Sequence, residues 1–207
     1  MSKTEQRTKS KTSTGDTPET TLRGQLLIAM PGLLDPNFSQ ALVYIIEHSP
    51  KEGAMGITIN RPLDFDLSQV YEQLELKYSP RKATQTLLCG GPVQEEQGFV
   101  LHKPATKEWR STTMLNNAVC LTTSRDIITD MAGDLGPEQA LVALGYSGWA
   151  SGQLEQELLD NAWLTVHVQE EFLAELLFDT PLEKRASLAA ASIGVALSQL
   201  SNSTGHA

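Results

Sequence analysis

The pattern of apolar and polar residues along the chain predicts a series of short strands. A continuous apolar run from Gln25 to Met30 stops at Pro31-Gly32, which is typical of a buried strand that ends in a turn. The segment Trp163–Val168 alternates cleanly, so that Leu164, Val166 and Val168 face one way and Trp163, Thr165 and His167 the other. Further strands are predicted over residues 42–47, 56–60, 86–89, 98–102, 118–122 and 140–146.

Turn-forming residues and helical spacing complete this pattern. Residues 42–47 and 56–60 are joined by the turn-forming segment Ser49–Gly53, which predicts an antiparallel hairpin. Asp66–Leu76 brings apolar residues to one side at helical spacing, and Ser124 and Gly133 bracket a second predicted helix. Asp35-Pro36 predicts a single helical turn. Helices are also predicted over residues 153–160, 170–177 and 182–193.

The irregular order of strands and helices, with at least one hairpin, predicts an α+β fold in which helices flank a mixed β-sheet. Residues 1–21 are polar and rich in Ser and Thr, and we expect a disordered tail there. A single domain is expected over residues 22–195. Residues 196–207 are expected to form a C-terminal tail.

Composition and charge narrow the classes of function. The 207 residues are 40% hydrophobic and 20% charged, which is ordinary for a globular domain with a sizeable core. The formal charge of −9 argues against direct binding to nucleic acid, because phosphates attract clustered Lys and Arg. The basic residues of the N-terminal tail are interspersed with acidic ones, so we expect a solvated segment. These basic residues are Lys3, Arg7, Lys9 and Lys11.

The two cysteines and the absence of long apolar segments indicate a location in the cytoplasm. Cys89 and Cys120 each lie in an apolar run, which favours buried, reduced thiols over a redox pair. The N-terminal residues lack the apolar region of a signal peptide, and no segment reaches the roughly 20 apolar residues of a membrane span. We therefore expect a cytoplasmic protein without membrane contact.

Five short segments together resemble the bacterial YqgE/AlgH family. They are Glu47-His48, Ile59-Asn60-Arg61-Pro62, Gly90-Gly91-Pro92-Val93, Gly98–His102 and the run from Gly145 to Leu164. The resemblance covers roughly residues 22 to 195. It implies a mixed sheet flanked by helices, with a smaller α/β element packed on it, and a family without a settled biochemical activity.

The Gly145–Trp149 segment partly matches the G-x-S-x-G nucleophile elbow of hydrolases. It departs from that motif because Trp149 stands two residues after Ser147, where the strained turn needs a small residue. Trp149 is a candidate for stacking on a ligand, although burial of its ring is favoured. The helix that follows presents backbone N–H groups that could hold an anion, but Glu155 and Glu157 lie in its first turns and compete for that end.

Glu47-His48 and His102 lie at predicted strand ends. If those ends were neighbours, two imidazoles and a carboxylate could ligate a metal ion. The alternative is that each imidazole satisfies a local hydrogen bond, and the absence of an H-x-x-x-H or C-x-x-C spacing favours it.

Arg61 lies between Asn60 and Pro62 at a strand exit. Its guanidinium could bind a carboxylate or phosphate of a ligand, although an internal salt bridge to Asp64, Glu47 or another acid is favoured. Gly90-Gly91 lacks the Gly-Lys-Ser/Thr of a phosphate loop, so a tight turn or a close approach of strands is expected there. Residues 93–97 are expected to form a solvated loop.

These observations support three hypotheses of function. The first is a non-enzymatic regulatory or binding protein that acts through a protein partner or a small ligand. The second is a transcriptional regulator that contacts DNA directly, and the third is an enzyme that uses Glu47, His48, Arg61 and His102. No residue is assigned to catalysis, to a cofactor or to a metal, and the oligomeric state stays open. The candidate binding residues are Glu47, His48, Arg61, His102, Ser147 and Trp149.

Overall fold

The computed structural model describes residues 21–80, 84–133 and 135–200. Apart from Thr21, the predicted N-terminal tail lies outside these ranges, and so do residues 201–207 of the predicted C-terminal tail. The described residues form ten strands and six helices. The strands are β1 Leu26–Ala29, β2 Leu42–Ser49, β3 Gly53–Thr58, β4 Pro62–Asp66, β5 Thr86–Cys89, β6 Val93–His102, β7 Thr112–Met114, β8 Cys120–Thr122, β9 Ala140–Trp149 and β10 Trp163–Val166. The helices are α1 Leu67–Gln73, α2 Arg125–Ala132, α3 Gln153–Leu159, α4 Glu170–Phe178, α5 Leu182–Ser192 and α6 Leu197–Leu200.

The strands join into one mixed sheet with the order β10-β1-β2-β3-β9-β6-β8-β7. Strands β4 and β5 branch from this path, because β5 pairs with both β4 and β9. The β5–β9 pair is parallel and the other pairs are antiparallel. The predicted α+β fold with a mixed sheet is confirmed, and so is the hairpin, which is β2–β3.

Both faces of the sheet are covered by helices, which explains why several strands are continuous apolar runs. On one face, Leu26, Leu42, Phe99 and Leu141 belong to the cluster that also contains apolar residues of α4 and α5. On the opposite face, α3 covers the half that contains β1 and β2. The helices α1 and α2 cover the half that contains β5 and β6.

The central strand β9 changes partner along its length, and glycine makes the change possible. Its first half pairs with β5, and its last residues pair with β3. Gly145 lies between these halves with φ +71°, and a Cβ there would stand 2.4 Å from the carbonyl oxygen of Gly91. A Cβ on Gly90 would stand 2.2 Å from the carbonyl oxygen of Gly145. The two glycine segments therefore permit the close approach of backbones that was predicted for Gly90-Gly91.

Three segments differ from their predicted form. Residues 93–97 were expected to form a loop, but they extend β6, because Val93 finds a pairing partner in Tyr146 of the distant β9. The region after residue 196 contains the short helix α6. Asp35-Pro36 begins a series of hydrogen-bonded turns without a helix, and the Asp35 carboxylate accepts the backbone N–H of Asn37 at 2.8 Å.

Both cysteines are free thiols. Cys89 lies in β5 and Cys120 in β8, with β9 and β6 between them. Burial raises the pKa of the Cys120 thiol. None of the helices in the described ranges has the length and apolar character needed to cross a membrane.

Candidate functional site

The six candidate residues do not lie together in the fold. Glu47, His48 and Trp149 line one cleft of about 750 Å³. Arg61 lines a second cleft of about 770 Å³. His102 and Ser147 are buried in the interior, with 1% and 0% of their surface exposed. The structure therefore does not bring the proposed catalytic group of Glu47, His48, Arg61 and His102 together.

His48 ties the start of the domain to α3. Its Nδ1 accepts the backbone N–H of Leu22 at 3.0 Å, so the proton lies on Nε2. Nε2 donates to the Glu155 carboxylate at 2.9 Å, and the imidazole side chain is 2% exposed. With both ring nitrogens bonded within the fold, His48 has the structural role that was the alternative to metal binding.

Trp149 is also held within the fold. Its indole N–H donates to Oε2 of Glu157 at 2.9 Å, and the Trp163 indole N–H donates to the same oxygen at 2.7 Å. The Phe38 ring stacks on Trp149 with a centroid separation of 6.3 Å. Trp149 is 6% exposed, so the burial alternative holds. Glu155 and Glu157 are thus both bonded to side chains outside α3, Glu155 to His48 and Glu157 to the two indoles.

His102 belongs to a buried chain of hydrogen bonds. Its ring lies 2.8 Å from the carbonyl oxygen of Lys103, which only accepts, so Nδ1 carries the proton. Nε2 then accepts from the Thr122 hydroxyl at 2.9 Å, and the Thr112 hydroxyl donates to Thr122 at 2.7 Å. Burial lowers the pKa of His102, which keeps the imidazole neutral. This chain of hydrogen bonds runs from Thr112 of β7 through Thr122 of β8 to His102 of β6 and connects the three strands.

The two histidines cannot share a metal ion. His48 is in register with Ala54, which pairs with Trp149 at the end of β9, whereas His102 pairs with Ala140 at its beginning. The imidazoles therefore stand at opposite ends of a ten-residue strand. Within the described ranges, no group of three or more His, Cys, Asp or Glu side chains could hold a metal ion. The metal-site hypothesis for Glu47, His48 and His102 is wrong.

Ser147 does not have the geometry of a nucleophile. Its hydroxyl donates to the carbonyl oxygen of Gly90 at 3.3 Å, and the side chain has no exposed surface. The hydroxyl thus joins the two glycine segments where β9 changes partner. A strained strand-to-helix elbow is absent at this place, because Ser147 continues in β9 and pairs with Gly56.

Arg61 has a different set of partners from the predicted one. Its guanidinium donates to the carbonyl oxygens of Asn37 and, at 2.8 Å, of Pro36. The expected salt bridge to Asp64 or Glu47 is wrong: among the described residues, Arg61 forms no ion pair with an acidic side chain. The guanidinium is half-buried at the wall of a cleft. Of the six candidates, Arg61 combines a fixed orientation, access to a cavity and a charge that no acidic side chain of the described ranges neutralises.

The Arg61 cleft lies between the loop that connects β1 to β2 and the C-terminal helices. Ile28 and Ala29 of β1 lie at its base, and Asn60 holds the adjoining loop. The Asn60 amide donates to the carbonyl oxygen of Gln40 at 2.9 Å and accepts the backbone N–H of Leu42 at 2.8 Å. The part of the lining that α5 and α6 contribute consists of Leu182, Glu183, Ala186, Leu197, Ser198 and Leu200. The cleft thus has one wall with a cation and one that is mainly apolar.

Arg185 is a residue that sequence analysis did not select. It is 6% exposed and donates to three carbonyl oxygens, of Thr180 at 3.1 Å, Ile59 at 2.5 Å and Leu177 at 2.6 Å. Burial lowers the pKa of its guanidinium to about 10. Among the described residues it has no acidic partner. The sequence does contain a signal for a buried arginine: Arg185 lies between an apolar and an alanine-rich turn of α5, on a helix face that is otherwise apolar.

Comparison with known families identifies similar sequences over nearly the whole domain. A family model described as AlgH-like, DUF179, matches residues 26–198. A UPF0301 protein of Thioalkalivibrio sulfidiphilus is 47% identical over 191 residues, which covers 92% of this chain and 100% of that protein. A UPF0301 protein of Alcanivorax borkumensis is 46% identical over 186 residues, covering 89% and 96%.

Two solved structures are similar to this fold. The solution structure of the AlgH protein from Pseudomonas aeruginosa has a TM-score of 0.73 and 44% sequence identity, and the match covers 94% of this chain and 100% of that one. The crystal structure of protein DIP2367 from Corynebacterium diphtheriae has a TM-score of 0.62 at 19% identity, with coverage of 86% and 91%. The second similarity concerns the fold alone.

Proposed function

The chain belongs to the YqgE/AlgH family, and we propose that it is a non-catalytic binding protein that holds a small ligand in the Arg61 cleft. The observation that carries this proposal is the oriented guanidinium of Arg61 at the wall of a cavity of about 770 Å³, with no acidic partner among the residues that the structure describes. Cavities of this size accommodate small molecules, and a few placed polar groups orient the ligand.

The state of the other candidate residues supports a binding role over catalysis. A general base or a nucleophile needs a side chain that can reach a substrate atom. His48 and His102 use both ring nitrogens within the fold, and Ser147 is enclosed between backbones. Glu47 is exposed and stands in a different cleft from Arg61. The enzyme hypothesis therefore lacks an assembled set of groups among the described residues.

We propose a regulatory role for this binding: a ligand that binds one state of a protein more tightly shifts the population of that state and thereby its further interactions. We place this role in the cytoplasm, since both thiols are free, as is usual in a reducing compartment. The alternative within the first hypothesis is that the protein acts through a protein partner instead of a small ligand.

A thermal-shift screen of the purified full chain against metabolites tests the proposal. A ligand that binds the native state raises the unfolding transition, by about 2.7 kcal/mol at a hundredfold excess over its dissociation constant. Ala186→Phe places a ring in the cleft and should abolish the shift. Ser187→Phe changes the next, exposed residue of α5 and should retain it.

The outcome separates a cleft ligand from other modes of binding. Shifts that Ala186→Phe removes and Ser187→Phe retains support a ligand in the Arg61 cleft. Shifts that survive Ala186→Phe would place the ligand elsewhere and overturn the proposal. A panel without any shift would leave a protein partner as the better explanation.

A further inference from the structure

We propose that the ligand of the Arg61 cleft is an amphipathic anion, with a carboxylate or phosphate head at Arg61 and an apolar body along α5 and α6. This inference rests on the proposed binding function and names the chemical class of its ligand.

The charge of Arg61 favours an anionic ligand. The chain has 25 acidic residues and 16 Lys and Arg, so carboxylates are abundant. Among the described residues, Arg61 nevertheless has no carboxylate within ion-pair distance. Desolvating a guanidinium without a counterion is unfavourable, and an anionic ligand head would remove that penalty. A cation that no described carboxylate neutralises favours an anionic ligand at this site, although the protein as a whole is acidic.

Arg61 is held in place and still has N–H donors available for a ligand. Its two bonds to the carbonyl oxygens of Pro36 and Asn37 fix the guanidinium plane. A guanidinium has five N–H donors in a rigid fork, so about three stay available. A carboxylate or a phosphate accepts two of these side by side, which is the arrangement that favours Arg over Lys.

A second cation, the buried Arg185, raises the electrostatic potential near Arg61. Arg185 donates to the carbonyl oxygen of Ile59, two residues before Arg61, and has no acidic partner in the described ranges. Its guanidinium is enclosed and does not line the cleft. Salt and water screen the electric field of a buried charge only weakly. Arg185 therefore attracts an anion in the cleft without contacting it.

The part of the lining that α5 and α6 contribute fits an apolar body. Leu182 and Ala186 of α5 and Leu197 and Leu200 of α6 line the cleft and are only partly buried. Covering this surface with a hydrocarbon gains about 25 cal/mol per Å² of apolar area removed from water. A small inorganic anion would leave the wall uncovered, so the site favours a ligand with an apolar body.

Glu183 is the acidic group that faces the same cleft. It is exposed at the first turn of α5, and it forms no ion pair with Arg61. Its carboxylate repels an anionic head and attracts a cationic one. Glu183 therefore weakens binding of an anion, and Glu183→Gln should strengthen it.

The test uses three probes with one alkyl chain and different heads: octanoate, octanol and octylammonium, below the concentrations at which they form micelles. Isothermal titration calorimetry on the full chain should show octanoate binding at least tenfold more tightly than octanol. Octylammonium should bind the least. This order follows from the head alone, because the apolar body is the same.

Variants then assign the recognition to single side chains. Arg61→Gln should weaken octanoate about tenfold or more and leave octanol unchanged, since it removes a charged hydrogen bond. Glu183→Gln should tighten octanoate, and Ala186→Phe should block all three probes. Arg125→Gln is the matched control, because Arg125 also donates to a backbone carbonyl, of Leu74 at 3.0 Å, but lines another cleft.

The results distinguish this inference from the proposed function. If octanol binds as well as octanoate and Ala186→Phe blocks both, the cleft holds ligands but does not select an anion, and the inference fails alone. If octanoate binds and Ala186→Phe has no effect, both fail. If Arg61→Gln lowers the melting temperature but leaves octanoate affinity unchanged, Arg61 only anchors its loop and the inference is overturned. Absence of octanoate binding also overturns it.

Discussion

At the scale of single residues, hydrogen-bond partners decide which polar side chains serve the fold. His102 is the clearest case, because each ring nitrogen has one partner and the ring packs edge-on against Trp109 at 5.1 Å. Burial disfavours the imidazolium and lowers the pKa of His102 below its ordinary value of 6.5. A neutral buried histidine makes the stability of a protein depend on pH.

We expect His102 to destabilise the protein as the pH falls below about 6.5. Below that pH the imidazole of His102 is protonated in the unfolded chain, whereas the buried imidazole of the native protein stays neutral. The free energy of unfolding therefore decreases as the pH falls, until the pH passes the native pKa of His102. Urea unfolding between about pH 7.5 and pH 5 should show a steeper loss in the wild type than in His102→Gln. His167→Gln, at an exposed imidazole, should retain the wild-type slope. Equal slopes for the wild type and His102→Gln would contradict this role.

At the scale of elements, β9 organises the domain because it pairs with β5, β3 and β6. Its change of partner depends on Gly145, whose φ of +71° lies in the left-handed region that disfavours other residues. The nearest obstacle to a side chain is a backbone oxygen of Gly91, which cannot rotate away as a side chain would.

Gly145→Ala should therefore destabilise the domain by several kcal/mol, since strain and a backbone clash add together. Gly98→Ala is the matched control in the neighbouring strand β6, because a Cβ there meets no atom within 4 Å. We expect its effect to stay within about 1 kcal/mol. Chemical unfolding of both variants measures the difference. Similar stabilities for the two would show that β9 can change partner without a glycine.

At the scale of the whole molecule, the charge of −9 bears on the alternative of direct regulation of transcription. Helix α2 begins with Arg125 but also contains Asp126 and Asp130, and Asp130 accepts the Trp109 indole N–H at 2.7 Å. Lys107 forms an ion pair with the same carboxylate. This surface does not offer the cluster of free cations that neutralises phosphates.

We expect no binding to a random DNA duplex, even at low ionic strength, where electrostatic attraction is strongest. Fluorescence anisotropy of a labelled duplex at about 20 mM and 200 mM salt tests this expectation. Tight binding at the lower salt that weakens steeply at the higher would favour a direct regulator and would count against a purely ligand-based role.

Local sequence was sufficient for most elements and for the fold class. Helical spacing from Asp66 and the Ser124–Gly133 bracket correspond to α1 and α2, and alternation at Trp163–Val168 matches β10, in which Trp163 and Val166 are buried on opposite faces. These features depend on neighbours within a few residues, which a single sequence contains. The strand at residues 93–97 was not predicted, because the residue with which Val93 pairs lies in β9, about fifty residues further along the chain.

The candidate site was determined only in part by the sequence. Residue types and strand ends were enough to select Arg61, but its partners, the carbonyl oxygens of Pro36 and Asn37, come from a loop more than twenty residues away. Tertiary structure alone decided that His48 and His102 stand at opposite ends of β9 and that Arg185 is buried beside Ile59. The physical reason is that periodicity records which face a residue occupies, whereas strand order and register decide which charges meet, and these depend on contacts distant along the chain.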